Sequence, residues 1–131
     1  MFEDADIIHR YSRADAIDDG SLVDVTDVAR ECGFRVAVAL TRLAWADCVE
    51  WTDADNAENV YQDASGRLWD VLWMVHLAAK RQPDASRLTF PRLRVQRGSR
   101  SPAPTETRLV LDIGPGDEGE PVITIGYDED F

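Results

Sequence analysis

The chain has 131 residues, the size of one ordinary domain, and carries 25 Asp and Glu against 14 Lys and Arg, for a formal net charge of −11. A hydrophobic content of 44% with four Trp supports an ordered core and excludes a disordered acidic chain, which would lack the apolar area to offset its conformational entropy. The acid load opposes generic attraction to nucleic acid or anionic lipid, and it favours a binder over an enzyme.

The charge is segregated. Residues 1–79 carry a net −10, residues 80–108 a net +6, and residues 109–131 a net −7. One domain over 1–131 is expected, with a helical part at 1–82 and a strand-rich part at 86–128. The chain begins Met1-Phe2-Glu3-Asp4, without a basic-then-apolar leader, and no apolar run approaches membrane-spanning length. Cytoplasmic residence, in a host bacterial cell, with no membrane partner, is the expectation. Cys32 and Cys48 lie in segments that read as helical and fit two buried reduced thiols.

Ser12 is placed to N-cap a short helix over Arg13 to Asp19, with Gly20 ending it in the left-handed conformation. Leu22, Val23 and Val25 form a short extended approach, and Thr26 then caps a helix through Val28 and Ala29 to Cys32, stopped by Gly33. From about Val36 to Glu50 the residues suit a helix. Its charges Arg35, Arg42, Asp47 and Glu50 fall within an arc of roughly 140°. Trp51 leads into Thr52 to Ala64, an exposed acidic loop with at most a helical turn.

Ser65 is placed to cap the strongest helix, Gly66 to Arg81. Leu68, Val71, Leu72, Val75 and Ala79 make one apolar face, yet Trp73, Met74 and Leu77 fall among charged positions. Two readings stay open for Trp73: packing on both sides of a central helix, or a partly exposed interface anchor. After Pro83 the pattern alternates. Leu88, Phe90, Leu93 and Val95 form a strand interrupted by Pro91, which points to an edge or a bulge. Leu109 to Ile113 and Val122 to Tyr127 flank Gly114-Pro115-Gly116-Asp117-Glu118-Gly119-Glu120-Pro121, a hairpin with an acidic tip. The expected fold class is α+β: about four helices followed by a three-stranded antiparallel sheet, with a single layer of helices on one sheet face.

Specific chemistries were tested against their spacing. A calcium loop starting at Asp53 has Ala57 at position five, Glu58 where glycine is needed and Ala64 at position twelve, so no metal is expected. The hairpin tip has two prolines and three acids, which repel a phosphate. His9, His76, Cys32 and Cys48 stand in no nucleophile signature and lack the close pairing of a zinc site. No catalytic residue and no cofactor is assigned. Arg92 and Arg94 alternate on one side of a strand with Arg87, Arg97 and Arg100 nearby. Direct nucleic-acid binding is unexpected in so anionic a molecule; pairing with acids of the helical part accounts better for these arginines.

Segments covering most of the chain also carry a resemblance. Tyr11-Ser12-Arg13-Ala14-Asp15-Ala16-Ile17, Gly20-Ser21-Leu22-Val23-Asp24-Val25-Thr26, Ala39-Leu40-Thr41, Gly66-Arg67-Leu68-Trp69-Asp70-Val71-Leu72-Trp73-Met74 and the hairpin from Gly114 through Ile125 resemble an uncharacterised family of small proteins carried by phages, plasmids and their bacterial hosts. The resemblance implies a mobile-element context and supplies no catalytic residues. The functional expectation is a non-enzymatic inhibitor of a bacterial defence complex, an anti-CRISPR protein that presents an acidic, DNA-like surface to the basic surface of a Cas effector complex. Asp53, Asp55, Glu58 and Asp63, with Asp117, Glu118 and Glu120, are the expected contacts, and Trp51 or Trp73 the apolar anchor. The alternative is a general accessory protein, a small enzyme or assembly subunit, whose acids only keep it soluble.

Overall fold

The computed structural model describes residues 10–131, so His9 lies outside the described residues. The elements run α1 (Arg13–Asp19), β1 (Leu22–Asp24), α2 (Thr26–Glu31), β2 (Ala37–Thr41), α3 (Arg42–Cys48), α4 (Asp53–Glu58), α5 (Ala64–Arg81), β3 (Arg87–Arg94), β4 (Thr105–Pro115) and β5 (Pro121–Gly126), closed by a 3-10 turn at Asp128–Asp130. The class is α+β. The sheet, however, has five strands in the order β1-β2-β5-β4-β3, and it is mixed because β2 runs parallel to β5. The expected three-stranded antiparallel sheet is its right half, β5-β4-β3.

The two additional strands come from the part read as helical. Ala37–Thr41 is a strand with four of its five residues buried, so both of its faces are covered and no alternation marks it. The expected helix from Val36 to Glu50 shrinks to α3, whose N-cap is Thr41; the Thr41 hydroxyl accepts a hydrogen bond from the Ala44 amide at 3.2 Å. Near the N-terminus the punctuation is as read. Ser12 and Asp15 form a capping box, and Gly20 ends α1 with φ 85°, a value that disfavours any residue with a Cβ. Thr26 opens α2 without capping it, its hydroxyl bonded instead to Asp24 and to the backbone of Val38.

One register row crosses the whole sheet: Val23, Leu40, Ile125, Leu111 and Leu88 are successive neighbours. This row faces α2, α3 and α5, and with Ala29, Ala44, Cys48, Leu68, Leu72 and Val75 it forms the core. Burying each such Leu or Ile contributes roughly 1.5–3 kcal/mol. The next row, Asp24, Ala39, Thr124, Asp112 and Arg87, points to the opposite face. There α1 packs, with Arg13 donating to the Thr124 hydroxyl at 2.7 Å and to the Ile123 carbonyl at 2.8 Å. The single helical layer expected from sequence is therefore corrected: α1 and the C-terminal turn cover part of the second face, and β2 is buried on both sides.

Candidate functional site

The acidic features sit at opposite ends of the sheet. The Pro115–Pro121 end of the β4–β5 hairpin lies beside Arg87 of β3, whereas Thr105 at the other end of β4 pairs with Arg94. The eleven residues of β4 put these ends ~33 Å apart at about 3.3 Å per residue. The segment after Trp51 belongs to the Thr105 end, since Asn59 donates to the carbonyls of Ser99 at 2.7 Å and Ser101 at 3.0 Å. One flat patch cannot hold both features.

Several of the expected contact acids have structural work. Thr52 caps α4 through a capping box with Asp55, and Arg97 donates to the same Asp55 carboxylate at 2.9 Å. Burial pushes the Asp55 carboxyl up, but hydrogen bonds from Thr52 and Arg97 outweigh it and hold the group below its ordinary range. Asp63, not Ser65, N-caps α5, accepting from the Gly66 amide at 2.6 Å. At the other end Asp117 accepts from the amides of Arg13 at 2.7 Å and Ala14 at 3.0 Å, so a carboxylate from the hairpin tip seats on the first turn of α1. Glu120 folds back to accept from the Glu118 amide at 2.9 Å. Asp53, Glu58 and Glu118 are exposed and make no side-chain hydrogen bond or ion pair among the described residues.

The two tryptophans separate. Trp51 is 7% exposed; its indole donates to Asn56 at 2.7 Å, and the Arg67 guanidinium lies 4.6 Å from the ring. Its ring is therefore packed inside the fold. Trp73 is 60% exposed and stacks on His76 with centroids 5.5 Å apart, and Phe34 meets the other side of the imidazole edge-on at 6.4 Å. His76 is thus held by rings. Trp73 forms one wall of a groove of about 270 Å³ between α5 and β3, shared with Met74, Pro91 and the exposed Leu93 and bordered by Asp70 and Glu106. Trp69, one helical turn before Trp73, is also exposed. Asp70, Arg92 and Leu93 are common to this groove and to a second pocket that reaches Val60 after α4. The Trp73 groove therefore runs into a pocket that reaches the segment just after α4.

Beneath this groove the core turns polar. In β3 the buried positions are Leu88, Phe90, Arg92 and Arg94, so the strand places two arginines in phase with its core residues. Arg94 pairs with Asp47 of α3 at 3.1 Å and donates to the Thr105 carbonyl at 2.9 Å. Tyr127 donates its phenol proton to the same Asp47 carboxylate and lies 3.6 Å from the Cys48 sulfur. Burial and that bond to Asp47 push the Tyr127 phenol far up from its ordinary value. Burial likewise raises the Cys48 thiol, which removes it from the class of reactive thiolates. Cys48 is buried as expected; Cys32 is only half-buried, and both thiols are free.

The full length of the chain, residues 1–131, matches a family of unknown function, DUF6573. The chain belongs to that family. No curated protein and no solved structure matches the DUF6573 chain. No helix among its described residues is long and apolar enough to cross a membrane.

The arginines near β3 in this DUF6573 member divide as their environments dictate. Arg87 pairs with Asp112 at 3.0 Å, and Arg97 with Glu50 at 2.9 Å and with Asp55 at the same distance. Pairing with acids of the helical part thus holds for Arg94 and Arg97. Sequence reasoning missed the burial of Arg67, Arg92 and Arg94. The signal was present in the two-residue spacing of Leu88, Phe90, Arg92 and Arg94, which share one face of an uninterrupted strand.

Proposed function

We propose that the protein is a non-enzymatic inhibitor that binds a basic surface of a bacterial defence complex, a CRISPR effector complex, and blocks its engagement of DNA or of a nuclease. The observation that carries this reading is the Trp73 groove. A tryptophan 60% exposed, in a groove bordered by the carboxylates of Asp70 and Glu106, has the composition of a binding hot spot for a surface rich in Lys and Arg. Asp53 and Glu58, exposed and unpaired among the described residues, add negative charge, and the net charge of −11 accelerates encounter with a cationic partner. Asp55 and Asp63 contribute through field alone, their oxygens being engaged in helix capping. Surfaces that hold DNA or guide duplexes are lined with Lys and Arg, and the resemblance to proteins of phages and plasmids directs the choice of such a surface toward host defence.

Co-purification tests the reading. A tagged copy passed through a lysate containing CRISPR and restriction complexes recovers the effector complex in stoichiometric amount, and the Trp73→Ala variant does not. Recovery of metabolic proteins only, equal for both forms, overturns it.

A further inference from the structure

α5 and β3 bring three guanidinium groups together, those of Arg67, Arg92 and Arg94, which are 3%, 6% and 7% exposed. Their acceptors are almost all neutral. Arg67 donates to the carbonyls of Val49, Asp47 and Val95 and to Gln62 Oε1, at 2.7 to 3.1 Å. Arg92 donates to the carbonyls of Leu93, Cys48 and Arg67. Only Arg94 meets a carboxylate directly, that of Asp47, and Asp47 also accepts the Tyr127 proton. Three buried positive charges thus share one half-buried carboxylate, which pairs with Arg94 alone, an arrangement whose desolvation is not offset by ion pairing. Burial, with the repulsion of Arg92 added, pushes the Arg67 guanidinium down to about 10.

One donor is left over. Arg92 Nε is wholly buried and meets no acceptor among the described residues, although a buried N–H without a partner is rare and costly. All three arginines line a single pocket of about 290 Å³, together with Gln62, Asp70 and Pro102. We propose that this pocket binds a small oxyanion, a phosphate or a carboxylate, drawn by the positive charge of Arg67, Arg92 and Arg94, which together line it. The guanidinium fork matches the paired oxygens of either group, and the volume admits an anion of a few non-hydrogen atoms. The exposed Asp70 in the lining opposes the anion and keeps the affinity modest. The site adjoins the Trp73 contact surface and shares Asp70, Arg92 and Leu93 with it.

The test is a titration of the Arg Nε–H resonances of ¹⁵N-labelled protein with inorganic phosphate and, separately, with succinate, ionic strength being held constant with chloride. The expected result is a saturable shift of the Arg92 Nε–H resonance with one or both anions, the two arms distinguishing phosphate from carboxylate as the ligand class. Asp70→Asn, an exposed change that leaves the core intact, tightens binding about three-fold by removing one repelling charge. Arg92→Gln abolishes the saturable response of the remaining arginines. A resonance that moves with neither anion, or a response that Asp70→Asn leaves unchanged, overturns the proposal.

Discussion

Replacing Asp47 with Asn puts the polar end of the core to the test. Asp47 receives Arg94 at 3.1 Å and the phenol proton of Tyr127. The Arg94 side chain is 7% exposed and that of Asp47 is 27% exposed, so the arginine cannot recover hydration while the carboxylate is partly open to water. Removing one partner of a fully buried pair costs about 3–5 kcal/mol. Partial access at Asp47, and the acceptor that Asn retains, reduce this to about 2–3 kcal/mol. For a domain of this size that corresponds to a fall in Tm of about 10 °C. Urea unfolding followed by tryptophan fluorescence measures it, with an unchanged m-value showing that the folded and unfolded states keep their extents. The double variant Asp47→Asn with Arg94→Met removes both charges and recovers at least half of the loss, giving a coupling above about 1 kcal/mol. A single-variant loss under about 0.5 kcal/mol, or strict additivity in the double variant, refutes the reasoning.

Three further outcomes are expected. Trp73→Ala leaves the urea midpoint within experimental error, because the ring is mostly exposed, but weakens binding to the partner by about 2 kcal/mol, roughly thirty-fold, in a titration of affinity. Asp117→Ala removes the carboxylate that accepts the first amides of α1 and costs about 1 kcal/mol, read as faster hydrogen exchange at Arg13 and Ala14, whereas Glu118→Gln changes neither. The Tyr127 phenol, held above its ordinary value of 10.0 by burial and by its bond to Asp47, gives a stabilisation that is complete below about pH 10 and lost as pH rises beyond it. An absorbance titration then shows the phenolate of Tyr127 appearing only with alkaline unfolding, and Asp47→Asn brings it to lower pH.

How far the fold could be read depended on how local its causes are. The α1 boundaries followed from Ser12 and Gly20, and the β4–β5 hairpin from alternation around a Gly- and Pro-rich tip, because capping and turn chemistry act within a few residues. β2 was hidden for the opposite reason. Ala37, Ala39 and Leu40 are good helix formers, and the segment becomes a strand through parallel pairing with β5, more than eighty residues away. Thr41 followed by Ala44 was the overlooked sign that a helix starts only there.

The site was legible in part. Trp73 was recognised as misplaced on an otherwise simple helix face, and it is exposed. Trp51 gave no comparable signal, since what buries it is Arg67 from the following helix. Ser65 was read as the cap of α5, but the helix starts one residue earlier than Ser65 and Asp63 takes the role, accepting from the Gly66 amide. Arg92 and Arg94 were read as partners for acids of the helical part, while their spacing from Leu88 and Phe90 puts them inside. In an edge strand with Pro91 the alternation continues unbroken, and Leu93 is the residue left outside.

The most direct measurement of the proposed role is a titration of this protein into a DNA-cleavage reaction run by a CRISPR effector complex, the proposed target. The account predicts that cleavage falls linearly and ends near one equivalent of inhibitor per complex, with no catalytic turnover. Undiminished cleavage at a large molar excess contradicts it.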